Sequence, residues 1–378
     1  MKYYTVEGKN KSIFKTYAIY YICVTLFCII RIIASLGYFP GGKGGDVLFS
    51  VLLQLGVLFL LPLFLSCKLL KCSPKKVFKD CNYDKINVNI VIISVVLGIL
   101  CFFINIAVSS LFNGILSFSG YRFIYGSGGE SDYSISNFFL QIFLVAVLPA
   151  IGEEFIHRGI VLQGIKHMGF KKAILISSLL FGLIHFNIQQ VSYAFVIGLV
   201  LGLVAVVSKN IFPAMIIHFV NNGIATYLDF ASARGWVFGD ILDNLQAALR
   251  SGNSTLIFVI CAIAMIVIIG LLCLFVWLLY KQSIIRKVDK ALDKAYNHLS
   301  STFTNLPIKM HEHEVIRDLL ENNTLLNLDH KIMDNPINLV MPKEKSRYKV
   351  KPMDNLFLWG AIIMGGLITI FTYVWGLL

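Results

Sequence analysis

Charge is what this sequence has least of. Only 14% of its 378 residues are Asp, Glu, Lys or Arg, against about 25% in soluble domains. Hydrophobic residues make up 57%, and several runs approach or exceed the length that crosses a bilayer, roughly 20 apolar residues. A soluble enzyme is excluded. Acidic residues are scarcer than basic ones, 21 against 33, which leaves a net charge of +12. The lysines flank apolar runs, so their expected partner is the lipid bilayer and not nucleic acid.

Other absences narrow the class further. The eight cysteines show no spacing for a metal knuckle or a disulfide framework. Cys23, Cys28, Cys101, Cys261 and Cys273 fall inside apolar runs, and Cys67, Cys72 and Cys81 fall in a Lys-rich loop. No internal repeat or low-complexity tract stands out. No cleavable signal is expected, because the polar start is long and residues 16–39 are too long for an h-region.

What is present reads as an all-α polytopic transmembrane helical bundle of about eight to nine membrane helices. Candidate spans are 16–38, 47–66, 88–110, 137–156 with a continuation, 172–187, 190–208, 211–228, 255–280 and 357–378. With the N-terminus in the cytosol, lysines collect on alternate loops, as the positive-inside rule requires. The outer loops hold only Lys43, Arg122, Arg234 and Arg250. Arg31, late in the first span, is expected to snorkel to the outer interface. Residues 281–356 are the one long polar segment, with helices expected at 283–300 and 312–321. The run HEHE at 311–314 offers no third metal ligand and reads as solvated. The expected divisions are 1–136, 137–228, 229–280, 281–356 and 357–378.

Three polar groups interrupt the apolar spans. Charge inside a membrane is costly and marks function by default. The stretch AIGEEFIHRGI places Glu153 and Glu154 side by side. Helical spacing pairs Glu154 with Arg158, and Glu153 with His157. The two carboxylates differ by about 100° around the axis. One can be neutralised by Arg158, which leaves Glu153 as the chemical candidate. FGLIHF supplies Phe181 and His185, and IIHFVNNG supplies His218 and Asn222 on one helix face.

These groups lie at similar depth. Measured from the nearest basic flank at about 1.5 Å per residue, Glu153, His185 and Asn222 stand about 20 Å in, and His218 about 14 Å. A carboxylate, two imidazoles and an amide at one level suit a hydrolase: a base for water and donors for an oxyanion.

The order EExxxR, FxxxH, HxxxN resembles that of the CPBP superfamily of CAAX proteases and bacteriocin-processing enzymes. It is also called the ABI family, and its founding members resemble type II CAAX prenyl endopeptidases. The resemblance covers residues 137–228 and leaves 229–378 unexplained. It implies an intramembrane endopeptidase. Glu153 and His185 would activate water, and His218 and Asn222 would stabilise the oxyanion. Glu154 and Arg158 would support the site, with Phe181 lining it.

The family is often called metalloprotease, so zinc is left open as a cofactor. Its ligands would be Glu153, His185 and His218. No HExxH is present, and a metal-free mechanism suits the residues equally well. The implied partner is a peptide or membrane-protein substrate. Short loops and the Lys, Ile and Asn usage lead us to expect a multi-pass protein of a bacterial plasma membrane. The rival class is non-enzymatic: an immunity or scaffolding factor, or a transporter. No paired, broken helices support a transporter, and no motif residue is missing.

Overall fold

A computed structural model describes residues 6–122, 132–240, 254–302 and 352–377. The described residues are helical, with no strand among them. In chain order the helices are α1 (Val6–Ser35), α2 (Gly42–Leu70), α3 (Pro74–Asp80), α4 (Val88–Phe118) and α5 (Ile135–Met168). They continue as α6 (Phe170–Leu183), α7 (Ile188–Ser208), α8 (Phe212–Arg234), α9 (Ser254–Thr302) and α10 (Leu356–Leu377).

Local chemistry sets several of the ends. The side chains of Ser73, Asn87, Ser134 and Asn187 each accept a backbone N–H at the start of α3, α4, α5 and α7. Such caps satisfy donors that a helix leaves unpaired. Gly235 stops α8 in a left-handed conformation, φ 65°, which a residue without Cβ adopts at no steric cost.

Among the described residues, seven helical stretches are long and apolar enough to cross a membrane. They are α1 from Ile13, α2, α4, α5, α7, residues 262–286 of α9, and α10 with its lead-in turn. This is a multi-pass membrane protein, and many Ile, Leu and Phe on its spans are exposed. The expected count was eight to nine. The two remaining expected spans form helices but do not qualify. Helix α6 has only 14 residues, about 21 Å at the α-helical rise. Helix α8 has 23 residues but carries His218, Asn221, Asn222 and Asp229.

Helices α5, α6, α7 and α8 form the middle of the bundle. On one side, α1, α2 and α10 pack around α5 and α6. On the other, α4 and α9 pack against α7 and α8. Small residues set the closest approaches. A Cβ on Gly152 would stand 2.3 Å from the backbone oxygen of Gln54, and one on Gly98 2.6 Å from Val220. Small residues let membrane helices meet backbone to backbone.

Two expectations about the later chain have different outcomes. The helix expected at 283–300 is the continuation of α9, which runs unbroken through Thr302. The HEHE run and the helix expected at 312–321 lie outside the described residues.

Candidate active site

Helix α5 carries the carboxylates between two stretches of wide, π-helical hydrogen bonding, Ile142–Val147 and Phe155–Val161. Glu153 and Glu154 are both buried, and they point to different partners. Gln54 Nε2 on α2 donates to Glu153 Oε1 at 2.9 Å. Glu153 Oε2 is buried with no hydrogen-bond partner among the described residues. Burying an unpaired carboxylate oxygen is expensive, and this oxygen is available to a proton or a water.

Glu154 is held from two sides. Arg158 Nη1 donates to its Oε1 at 3.0 Å, the i,i+4 pair that the spacing predicts. His218 Nδ1 on α8 stands 2.9 Å from the same oxygen. A carboxylate paired to arginine only accepts, so His218 Nδ1 carries the proton. Arg158 Nη2 also donates to the Gly198 carbonyl on α7 at 3.1 Å. Both members of the ion pair are fully buried.

His157 departs from the sequence expectation. Its Nδ1 lies 2.7 Å from the backbone carbonyl of Glu153, and its Nε2 lies 3.4 Å from Tyr20 Oη. The backbone carbonyl one turn back is closer to hand than the Glu153 side chain, which reaches across to α2. Glu153 and His157 are therefore not an ion pair.

Phe181 is the hub of the cluster. The Arg158 guanidinium lies 4.3 Å from its ring centroid, over the π face. The imidazoles of His157, His185 and His218 stand at 5.2, 5.4 and 5.7 Å, each at a steep angle to the ring. His185 Nδ1 lies 2.9 Å from the Phe181 carbonyl. A carbonyl cannot donate, so Nδ1 is protonated and Nε2 of the neutral ring is an acceptor.

Asn222 sits beside this group. Its Nδ2 donates to the Val145 carbonyl at 3.0 Å, and its Oδ1 accepts from Asn221 Nδ2 at 2.9 Å. One N–H of its amide is left over.

A cavity of about 250 Å³ opens where α1, α2 and α5 meet the end of α6. Glu153 and His185 both line it, together with Gln54, Arg31 and apolar Phe27 and Leu144. His218 and Asn222 do not line it. His218 joins the group through Glu154 and Phe181. Gln54 was missed in the sequence, where a lone amide in an apolar run carries no partner information. Arg31 was expected to snorkel outward. It is exposed, it also lines this cavity, and its Nη1 donates to the His185 carbonyl at 3.3 Å.

Zinc can be tested on the same geometry. Among the described residues, no three His, Cys, Asp or Glu side chains are placed to hold one metal ion. Glu153, His185 and His218 do not gather as ligands. The donor set does not fit zinc, and no step below runs through a metal.

Residues 135–224 match the family described as type II CAAX prenyl endopeptidase Rce1-like. They form an Rce1-like domain. No curated protein and no solved structure matches the chain. The Rce1-like domain spans α5, α6, α7 and the first half of α8, and so contains Glu153, Glu154, Arg158, Phe181, His185, His218 and Asn222. Arg31 and Gln54, which complete the cavity, come from helices outside it.

Proposed function

We propose that this protein is an intramembrane endopeptidase that hydrolyses a peptide bond of a membrane-associated peptide or protein. The observation that carries the reading is the shared cavity. Two proton-transfer groups, Glu153 on α5 and His185 in the turn after α6, line one pocket inside the bundle. The Rce1-like domain supports the same reaction class.

Glu153 takes a proton from water, and the hydroxide attacks the scissile carbonyl carbon. His185 Nε2, the free acceptor of its ring, orients that water. The oxyanion role of His218 and Asn222 rests on the motif order, since neither lines this cavity. The C–N bond then breaks, and the proton held by Glu153 passes to the departing amine. Arg158 and Glu154 keep α5, α7 and α8 in register around this chemistry. The setting is a bacterial plasma membrane with the N-terminus in the cytosol, as lysine placement supports.

The test is cleavage by the purified full chain in detergent. The probes are quenched-fluorescence peptides ending in a CAAX box, farnesylated or unmodified. Glu153→Gln should lower kcat by roughly 10²–10⁴-fold while the protein stays folded. Equal turnover by wild type and Glu153→Gln would remove the reading. A farnesyl requirement would make the lipid part of the substrate.

A further inference from the structure

Gln54 lies outside the Rce1-like domain, on α2, and none of the sequence motifs includes it. It is the polar side chain that touches the Glu153 carboxylate. The simplest account is helix–helix glue, since amides often hold membrane helices together. Three observations go further.

The contact is directed. The amide presents Nε2 to Glu153 Oε1. The amide oxygen is turned toward Gly152, where a Cβ would stand 3.1 Å from it. The backbone oxygen of Gln54 presses on the same glycine. The backbones of α2 and α5 are thus in close contact one residue before Glu153. Both side chains also line the cavity shared with His185. Finally, the contact takes one carboxylate oxygen and leaves the other without a partner. Helix glue alone has no need of a contact at the cavity wall.

We infer that Gln54 is a positioning residue for hydrolysis: it fixes the rotamer of Glu153 so that the carboxylate faces the water to be activated. The inference rests on the endopeptidase reading above. It makes α2 part of the catalytic unit, although α2 precedes the matched domain.

Kinetics on the full chain in detergent, with the CAAX peptides, test this. Gln54→Leu should lower kcat by about 10–100-fold, the range that misplacement of a reacting group produces, and leave KM unchanged. In a Glu153→Gln background the same change should cost nothing more, because it acts through Glu153. Gln54→Glu supplies the second readout. Two adjacent carboxyls share one proton, and that shared proton restores a donor to Glu153. This variant should therefore be more active toward acidic pH and lose activity as pH rises, with no matching change in wild type.

Full turnover by Gln54→Leu, with Glu153→Gln inactive, would overturn the inference and leave the proposed function standing. A loss confined to KM, or equal losses in both backgrounds, would also overturn it. A Gln54→Glu profile parallel to wild type would do the same. Indifference to both Glu153→Gln and Gln54→Leu would overturn the two together. Thermal unfolding of the four single and double variants guards against misfolding: a stable but slow Gln54→Leu supports positioning, and one that unfolds with normal turnover at low temperature counts against it.

Discussion

His218 Nδ1 and Arg158 Nη1 share one acceptor, Glu154 Oε1, at 2.9 and 3.0 Å. A single buried oxygen therefore fastens α8 to α5, and through the Gly198 carbonyl the same arginine fastens α7. Each of the adjacent carboxylates has one engaged oxygen and one without a partner among the described residues, but only Glu153 lines the cavity. On the proposed function, Glu153 does the chemistry and Glu154 holds the helices.

Glu154→Gln should act on stability. It leaves a buried arginine without its charge partner and weakens the hold on His218. Breaking a fully buried pair costs about 3–5 kcal/mol. Replacing Arg158 as well, in Glu154→Gln with Arg158→Met, should return part of that loss, since no unpaired charge remains. Thermal unfolding in detergent, read beside turnover on the same variants, decides the matter. A Glu154→Gln protein as stable as wild type but inactive would mean that the two glutamates have exchanged roles.

Gly152→Ala should separate α2 from α5. Its Cβ would meet the Gln54 backbone oxygen at 2.3 Å, and a backbone atom cannot swing away. The expected result is a lower melting temperature with lost turnover. Gly223→Ala on α8 is the control, because nothing lies within 4 Å of the added methyl. It should melt at or slightly above the wild-type temperature, Ala being the better helix former. Equal effects at the two glycines would argue against a tight α2–α5 contact.

Outside the membrane, Lys43 pairs with Asp132, just before α5. The Lys43 hydrogen bond, with help from Ser134, holds the Asp132 carboxyl down at about 2, from an ordinary value of 3.8. A depressed carboxyl contributes stability above its ordinary value and loses it as pH falls through the depressed one. The pair is exposed, so its contribution is small. Lys43→Ala should bring the Asp132 titration back toward 3.8, followed by carboxyl carbon chemical shift. The stability gap between the two proteins should be present at neutral pH and close on acidification below the ordinary value. An unmoved Asp132 titration would show that Ser134 alone depresses it.

How much could be read from the chain differs by element. The motif residues of α5, α6 and α8 were legible because charge and imidazole are rare in apolar helices. Spacing within one helix was enough to pair Glu154 with Arg158. Contacts between helices were not legible. His218 reaches Glu154 only because α8 packs on α5, and its helical depth said nothing of which carboxylate it would meet. Gln54 and Arg31 gave no periodic signal, and their roles depend on α1 and α2 folding over the end of α6. Phe181 was expected to line the site, but its position among three imidazoles and a guanidinium is a property of the packed bundle. The count of eight to nine spans is not confirmed, since α6 has 14 residues and α8 carries His218, Asn221, Asn222 and Asp229.

The wide turns that flank Glu153 and Glu154 give α5 a spare residue on either side of its chemistry. Removing one residue from Phe155–Val161 lets that stretch tighten to regular α geometry with the segments on either side still in register, because a wide turn is an α-helix with one residue inserted. A deletion in the regular turns Leu148–Glu154 has no such slack: it turns everything upstream by about 100°, one residue's share of a 3.6-residue turn. Length variation is therefore tolerated in the wide turns and ruinous between them. A family of single-residue deletions along α5 would trace that boundary as a sharp edge between chains that insert normally and chains that also work.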